Sequence, residues 1–441
     1  MKLPSTLNSL EEYFYWDDFP AYPNTFGCRL HFSGQLNTEG VEAAAKAVSQ
    51  RNPLLGVIAI PKGRKVNWAP SPQEIMPCRM TEEEFHRNII RKFDLLHEPG
   101  SGLHWHADQS FSVISLLTHH AVSDGKGALQ LVFDCMNEYA SFFGGKDAAR
   151  HRRIDVDLLN GRGSYGFFRW KFLKRLHRQL IGVAGIWEFL RNRPSVLKPI
   201  PPVPVQQPIP DGYPGILSGV VAEVPQLQGM ADAAGVTTND WVVTAIFSSL
   251  AEWRLNNGFG REDDLIRVMV PFNMRQIKDR YLPAANRISL VSIDRRQSAC
   301  RDFDALMRSI RFQMDVIQKN DLGYTFLHVL NLNRWMPGGI ARLARTDRVA
   351  ASVLVTNLGE PFKRLRLPRD GVGRIEMANL KLQGFDLIAP LRPNTQVAFA
   401  IFRYAGNVML SMTYDNRVLD EAEAQELFNM TSHQINRPVI K

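Results

Sequence analysis

The stretch LLTHHAVSDGKGALQL, residues 116–131, sets His119 and His120 side by side and follows them, after three residues, with Asp124-Gly125. An apolar run leads in and a run with helical spacing leads out, so the histidines stand where a strand hands over to a helix. Three chemistries fit such a junction. A metal site needs converging ligands. Neighbours on a strand point to opposite faces, and neither a His pair at i,i+4 nor a third ligand at standard spacing is present. His104 and His106 share a strand face, yet no acidic residue is spaced to complete a site with them. No metal is expected. A structural reading makes the histidines hydrogen-bonded core residues, Asp124 a helix N-cap or turn residue, and Gly125 and Gly127 the residues that permit the turn. A catalytic reading makes one imidazole a general base, held in one tautomer near neutral pKa at the mouth of a pocket. It accounts for more of the pattern: a buried strand end supplies rigidity, and a glycine beside the turn lets a backbone N–H or a thioester approach closely.

The chain around this junction has 441 residues, which suits two domains of about 200 residues. The composition is that of a globular protein. No apolar run is long enough for a transmembrane helix, and the N-terminal MKLPSTLNSLEEYFYWDDF has no signal-peptide core. Cys28, Cys78, Cys135 and Cys300 are far apart and read as reduced thiols of a cytoplasmic protein. The net charge of +9 is local. Residues 151–200 hold eleven Lys and Arg against Asp155, Asp157 and Glu188, so any basic function belongs to that segment.

Periodicity predicts a first half over residues 1–150, a basic amphipathic helix and proline-rich linker over 151–214, and a second half over 215–441. In the first half FGCRLHFSG alternates as a half-buried strand, and a helix capped by Asn37 or Thr38 runs to Pro53. A further helix is predicted near Thr81 to Asp94. SFSVISLLTHH is apolar on both faces, as a central strand is. The helix after it carries Leu129, Val132, Phe133, Met136 and Phe143 as its stripe. The second half contributes the helix NDWVVTAIFSSLAEWRL, the strands IRVMVPFNMR, RISLVSIDRR and SVLVTNLGE, a hairpin pivoting on Ala405-Gly406-Asn407, and a last helix over Asp420 to Gln434. Strands and helices are interspersed without a βα period, which predicts two α+β layers with mixed sheets.

His119-His120-Ala121-Val122-Ser123-Asp124-Gly125 resembles the H-H-x-x-x-D-G motif of the condensation-domain and chloramphenicol-acetyltransferase-like acyltransferase superfamily. Other stretches agree in order and spacing from about residue 8 to 435. Arg51 to Leu55, RNPLL, is similar to the family's R-H-P-L-L, with Asn52 in place of the usual His. Val270 to Arg275, VPFNMR, is similar to its second-half strand ending in arginine, and Val355 to Gly359, VTNLG, to its S-N-L-G-like strand. The D-F-G-W-G motif of the plant enzymes is absent, and LQGFDLIAP stands in its place, which leaves the alcohol acyltransferase and free-standing condensation types.

The resemblance implies two similar α/β sandwich halves in a V around a central tunnel. His120 would be the general base, taking a proton from an alcohol or amine as it attacks an acyl thioester, with no covalent acyl-enzyme. His119 would be structural, Asp124 would brace the loop through a charge pair with Arg275, and Gly125 would keep the entrance clear. Thr356 and Asn357 are candidates for the tunnel wall or for an oxyanion contact. Coenzyme A thioester would be a co-substrate, with no tightly bound cofactor. The donor is acyl-CoA or an acyl carrier protein, and a non-catalytic binding module of the same fold is the remaining reading. A monomer is expected.

The basic segment FFRWKFLKRLHRQLIGVAGIWEFLRNR has Leu173, Leu176, Leu180, Ala184 and Trp187 at one helical spacing and Lys171, Lys174, Arg175 and Arg178 at another. It suits a solvated helix face, a peripheral membrane contact over residues 167–191, a dock for an acidic carrier protein, or a site for the coenzyme A phosphates. No recognition motif for nucleic acid accompanies the charge.

Overall fold

A computed structural model of the protein describes residues 6–144, 153–165, 179–346 and 348–438. Its strands, in chain order, are β1 (Thr25–Ser33), β2 (Val57–Lys62), β3 (Lys65–Pro70), β4 (Cys78–Arg79), β5 (Ser101–Ala107), β6 (Phe111–His119), β7 (Gly215–Glu223), β8 (Leu265–Asn273), β9 (Ile288–Arg296), β10 (Val353–Gly359), β11 (Glu376–Met377), β12 (Leu380–Ile388), β13 (Val397–Tyr404) and β14 (Asn407–Tyr414). One sheet runs β11-β12-β1-β6-β5-β4, a second runs β7-β14-β13-β10-β8-β9, and β2-β3 is a separate hairpin. Both large sheets are mixed: β4 pairs with β5 in parallel, and β10 pairs in parallel with β8 and β13. Two apolar clusters form: one on the first sheet that also takes in Ala398, Ala400 and Phe402 of β13, and one on the other face of the second sheet with Val397, Phe399 and Ile401.

The first sheet and its helices follow from side-chain period. The helices are α1 (Ser9–Trp16), α2 (Thr38–Arg51), α3 (Glu82–Arg87) and α4 (Gly125–Phe142). Strand β6 lies between β1 and β5, as its two apolar faces require. Leu30, Leu103 and Leu116 meet Val41 and Ala44 of α2 and Val132 and Met136 of α4 in one apolar layer. Two local expectations fail. Helix α3 stops at Arg87, because the last turn meets the cap Asn88 and the chain continues without helix past Asp94. Phe143 leaves the α4 stripe and is exposed, since the helix ends one residue before it. The Ala405-Gly406 turn has positive φ at both residues and joins β13 to β14 with Tyr404 opposite Asn407, as a two-residue hairpin loop does.

Residues 215–441 do not all stay with the second sheet. Strands β11 and β12 cross over, and β12 pairs antiparallel with β1, where the LQGFDLIAP stretch lies. The crossing gives β1 a second partner and so removes an open edge beside the core. The extended linker touches both halves. Ala21 N donates to Val205 O and Gly212 N to Arg87 O, while Lys198 N donates to Gln396 Oε1.

A buried charge pair holds the start of the fold to the segment after α4. Arg162 donates to Glu11 Oε1 at 2.6 Å and to Oε2 at 2.8 Å, and Glu11 also accepts from Trp68. Glu11 is fully buried. Arg162→Met strands that carboxylate and is expected to cost about 3–5 kcal/mol in urea unfolding; a loss under about 1 kcal/mol would show that the pair does not carry this contact.

Candidate active site where the two sheets meet

Strand β6 ends at His119, and α4 begins at Gly125, so the motif forms the turn between them. The alternation of the strand sends the two imidazoles apart. His119 is fully buried. Its backbone N donates to Gly100 O, and its Nδ1 accepts from Ala121 N at 3.0 Å. That bond places the ring proton on Nε2, which faces Asp18 Oδ1 at 3.8 Å. Burial, aided by the Lys92 charge, pushes the His119 imidazole down to about 3. This ring is neutral and packed.

His120 is half-buried. Its backbone N donates to Asn24 O at 2.8 Å, and its carbonyl accepts from Asn286 Nδ2 at 2.7 Å. Phe14 of α1 stacks on the ring at 4.0 Å, and Phe26 of β1 lies tilted at 5.0 Å. Nδ1 is buried without a hydrogen bond of good geometry, so the open edge of the ring is the Nε2 side. Burial pushes the imidazole down to about 4; Asp124, its own carbonyl and the Asn286 side chain oppose that shift, and His119 adds to it. At neutral pH His120 is an unprotonated imidazole with one free nitrogen.

Asp124 is fully buried and fully used. It caps α4 by accepting from Gly127 N at 2.8 Å. Arg275 donates to its Oδ2 and Oδ1, each at 2.8 Å, and Arg287 N donates to Oδ2 at 2.7 Å. Burial pushes this carboxyl up, but Arg275 and the two backbone N–H groups more than offset it and leave it below the ordinary carboxylate range. Arg275 also donates to Ala285 O at 3.0 Å.

The segment Ala284–Arg287 carries no motif signal in the sequence reading, yet each of its residues bonds the motif or a residue that supports it. Ala284 N donates to Asn52 Oδ1, Ala285 O accepts from Arg275, Asn286 Nδ2 donates to the carbonyls of His120 and Ala121, and Arg287 N donates to Asp124. Asn52, which stands where the resembling family has His, is thus a buried bridge between the halves. The signal available was PAANR, a proline followed by two small residues and a polar pair just before a strand.

The two motif glycines differ. A Cβ on Gly127 would lie 2.0 Å from Ser123 Oγ and 3.2 Å from Ala285 N, so α4 and the 284–287 segment approach only over glycine. A Cβ on Gly125 would meet only Leu358, at 3.6 Å, which is ordinary contact. Strand β10, with a bulge at Leu358, therefore faces the start of α4. Thr356 is half-buried on the side of Leu354, which packs on the first core. Asn357 is exposed on the other side, and its amide is spent on Asn239 at 3.3 Å and Gly359 N at 3.0 Å. The structure brings Thr356 to the α4 side of the strand and turns Asn357 away.

Lys126, half-buried in the first turn of α4, completes the surroundings. Burial and the neighbouring Arg275 and Arg364 charges hold its ammonium below the ordinary range, against the pull of Asp124. The basic face proposed for Lys171, Lys174, Arg175 and Arg178 lies outside the described residues, as do Leu173 and Leu176. Of that segment the helix α5 (Gln179–Arg191) is described, and Val183, Trp187 and Leu190 on it are exposed. Among the described residues no helix is long and apolar enough to cross a membrane.

The fold is that of solved condensation domains. The first condensation domain of the calcium-dependent antibiotic synthetase, solved with a substrate analogue, superposes with a TM-score of 0.69 at 13% identity, over 100% of this chain and 98% of that one. The starter condensation domain of rhizomide synthetase, a mutant in complex with C8-CoA and Leu-SNAC, gives 0.69 at 12% identity over 98% and 94%. The X-domain from teicoplanin biosynthesis gives 0.63 at 14% identity over 99% and 95%. No family model and no curated protein sequence matches the chain. The protein therefore has the condensation-domain fold, with two chloramphenicol-acetyltransferase-like halves.

Two outcomes follow from this geometry. Gly127→Ala is expected to cost about 1–3 kcal/mol in thermal unfolding, because the buried Ser123 side chain and then the Ala285 backbone must move, whereas Gly125→Ala is near neutral. His119, His120 and His104 are held at about 3, about 4 and about 4 in the folded chain, against about 6.5 when unfolded. The unfolded chain binds protons first, so stability is complete above about pH 6.5 and falls as pH drops toward 4. A melting temperature that is flat from pH 7 to 4.5 would contradict the burial of these rings.

Proposed function

We propose that the protein is an acyltransferase that moves an acyl group from an acyl-CoA thioester to an alcohol or amine, with His120 as general base. One observation carries this: His120 is neutral, packs against Phe14 and Phe26, and has its Nδ1 buried, which leaves the Nε2 edge for a substrate. In the step, Nε2 takes the proton of the acceptor O–H or N–H as that atom bonds to the thioester carbonyl. The C–S bond then breaks, the acyl group stays on the acceptor, and the thiolate takes the proton from His120. Every other group of the motif is occupied in holding this ring. Asp124 and Arg275 are spent on each other and brace the turn, His119 packs beneath it, and Thr356 borders the approach. Lys126 and Arg364 offer cationic charge beside it for coenzyme A phosphates. The similar starter condensation domain was crystallised with C8-CoA, which supports a thioester donor of that kind. The tunnel between the halves is the route by which donor and acceptor would meet, and the chain would act as a monomer.

A carrier-protein donor is the second reading, favoured by the chemistry of the segment around α5. The sequence from 169 to 178 is rich in Lys and Arg, and Val183, Trp187 and Leu190 are exposed apolar side chains after it. The same composition suits peripheral contact with an anionic membrane, in a protein of the cytoplasm. If the protein is a binding module instead, donors would bind without thioester consumption.

The test is thiol release across a matrix of acyl-CoA donors and alcohol or amine acceptors, with product mass as a second readout. His120→Ala is expected to lower kcat by about 10²- to 10⁴-fold with the fold intact. Activity of the parent should hold level from pH 8 to 6 and decline toward pH 4, where His120 is protonated. Equal turnover by His120→Ala, or an activity limb centred near pH 7, overturns the assignment of the base.

A further inference from the structure

Two further helices, α6 (Thr325–Arg334) and the short α7 (Gly339–Ala344), lie on α1. Leu327 and Leu330 of α6 are fully buried, and Phe326 meets Tyr13 of α1 edge-on at 5.4 Å. Arg334 fastens the end of α6: its Nε pairs with Glu12 Oε2 at 3.2 Å, and its Nη2 donates to Leu7 O at 2.6 Å. The helix is anchored by that face, and its far side is uncovered. Leu332, Trp335 and Met336 stand there at helical spacing, 69%, 86% and 47% exposed. Helix α5 packs on α6 where Gly182 meets Thr325, a contact that a Cβ on the glycine would close to 2.6 Å. It adds its own exposed stripe, Val183, Trp187 and Leu190, at i, i+4 and i+7. Single exposed apolar residues need no explanation, but a concentration on neighbouring helices does.

The charge around these side chains has one sign. Residues 322–346 hold Arg334, Arg342 and Arg345 and no Asp or Glu. Arg342, Arg345 and Arg348 are exposed, and none forms an ion pair with a described carboxylate. Arg191 and Arg193, at the end of α5, are exposed too, against Glu188 alone. Projecting Trp and Leu side chains with arginines round them are the composition that enters the headgroup region of an anionic bilayer, where apolar burial and charge attraction act together. A protein partner fits less well. Its surface must match in shape, whereas Trp335 stands clear of its neighbours, and a fluid bilayer closes round a projecting side chain of any form.

We infer that the face formed by α5, α6 and α7 docks the protein on an anionic membrane surface, from which it takes a long-chain alcohol or amine as acceptor. The surface extends the membrane contact considered for residues 167–191 to a second pair of helices, and these lead to the site. Phe326 of α6 packs on Tyr13, and Phe14, the next residue of α1, stacks on His120 at 4.0 Å. The docked face is therefore one helix away from the reacting ring. The acceptor is the membrane-borne partner because the phosphates of a coenzyme A donor are repelled by an anionic surface. The choice of substrate rests on the acyl-transfer reading; the docking face does not.

Flotation of the full chain with vesicles of phosphatidylcholine, alone or mixed equally with phosphatidylglycerol, tests the docking. Affinity for the anionic vesicles is expected to be at least tenfold higher and to fall as salt is added. Leu332→Ser with Trp335→Ser should cut it at least tenfold, and Arg342→Gln with Arg348→Gln should remove the preference for anionic vesicles. The melting temperature should hold in both variants, since these side chains are exposed. No vesicle binding, equal binding to both vesicles, or binding that survives both pairs of substitutions overturns the docking face. Capture of an acidic acyl carrier protein in place of vesicles, lost with the same substitutions, also overturns it and gives the face to a protein partner. Delivery is read from thiol release with hexadecanol or hexadecylamine in anionic vesicles, as a ratio to release with butanol or butylamine in solution. Leu332→Ser with Trp335→Ser should lower that ratio at least tenfold; an unchanged ratio, or no use of the long-chain acceptors, overturns the delivery. Vesicle binding needs no turnover and should persist in His120→Ala. A chain that binds vesicles but releases no thiol therefore loses the acyl-transfer reading and keeps the docking face.

Discussion

The bidentate contact between Asp124 and Arg275 is the constraint on which the site depends. It joins the cap of α4, in the first sheet's layer, to the end of β8 in the second sheet. Both charges are buried or nearly so, and a buried pair is costly to form unless every remaining hydrogen-bonding position is filled. Here the carboxylate is filled by Gly127 N and Arg287 N, and Ala285 O takes a third donor of the guanidinium. Net stability is therefore not the main product of this pair. Its product is position, because neither sheet can shift without stranding a charge, and the turn carrying His120 is fixed relative to both.

The motif and its strand–turn–helix setting were readable because they are local. Side-chain alternation in β6 decides that His119 and His120 diverge, and the Asp-Gly pair marks the start of α4. The mixed α+β class was readable from interspersed strands and helices. What was not readable was long-range pairing. LQGFDLIAP has the pattern of a strand, but nothing in it states that its partner is β1, over 350 residues earlier. The role of PAANR was hidden for a related reason. Its contact with the motif is mostly through backbone N–H and C=O groups, which every residue has, and only Asn286 reaches the motif through its side chain. Asn357 shows the opposite failure: a plausible residue type in a family-like stretch, turned away by strand alternation.

Asn52 sharpens that distinction. At the position where the resembling family has His, the chain keeps a side chain with both a donor and an acceptor. Asn52 Nδ2 bonds Val48 O within α2, and Oδ1 receives Ala284 N from the other half. Both ends of the Asn52 amide are used, one within α2 and one across to the other half. The end of α2 is thus a second fastening between the halves, independent of the Asp124–Arg275 pair yet converging on the same segment, Ala284–Arg287.

What separates this turn from a packed core that happens to contain histidines is how its polar groups are used. Asp124 is saturated by Gly127 N, Arg287 N and Arg275, and Asn286 Nδ2 is spent on the carbonyls of His120 and Ala121, so these groups are structural ties. His120 is treated differently: its backbone is fixed at both N and O, while its ring is held by packing against Phe14 and Phe26. A ring held through its backbone and its neighbours, and not through its nitrogens, keeps a nitrogen available for proton transfer, which is what the general-base reading requires.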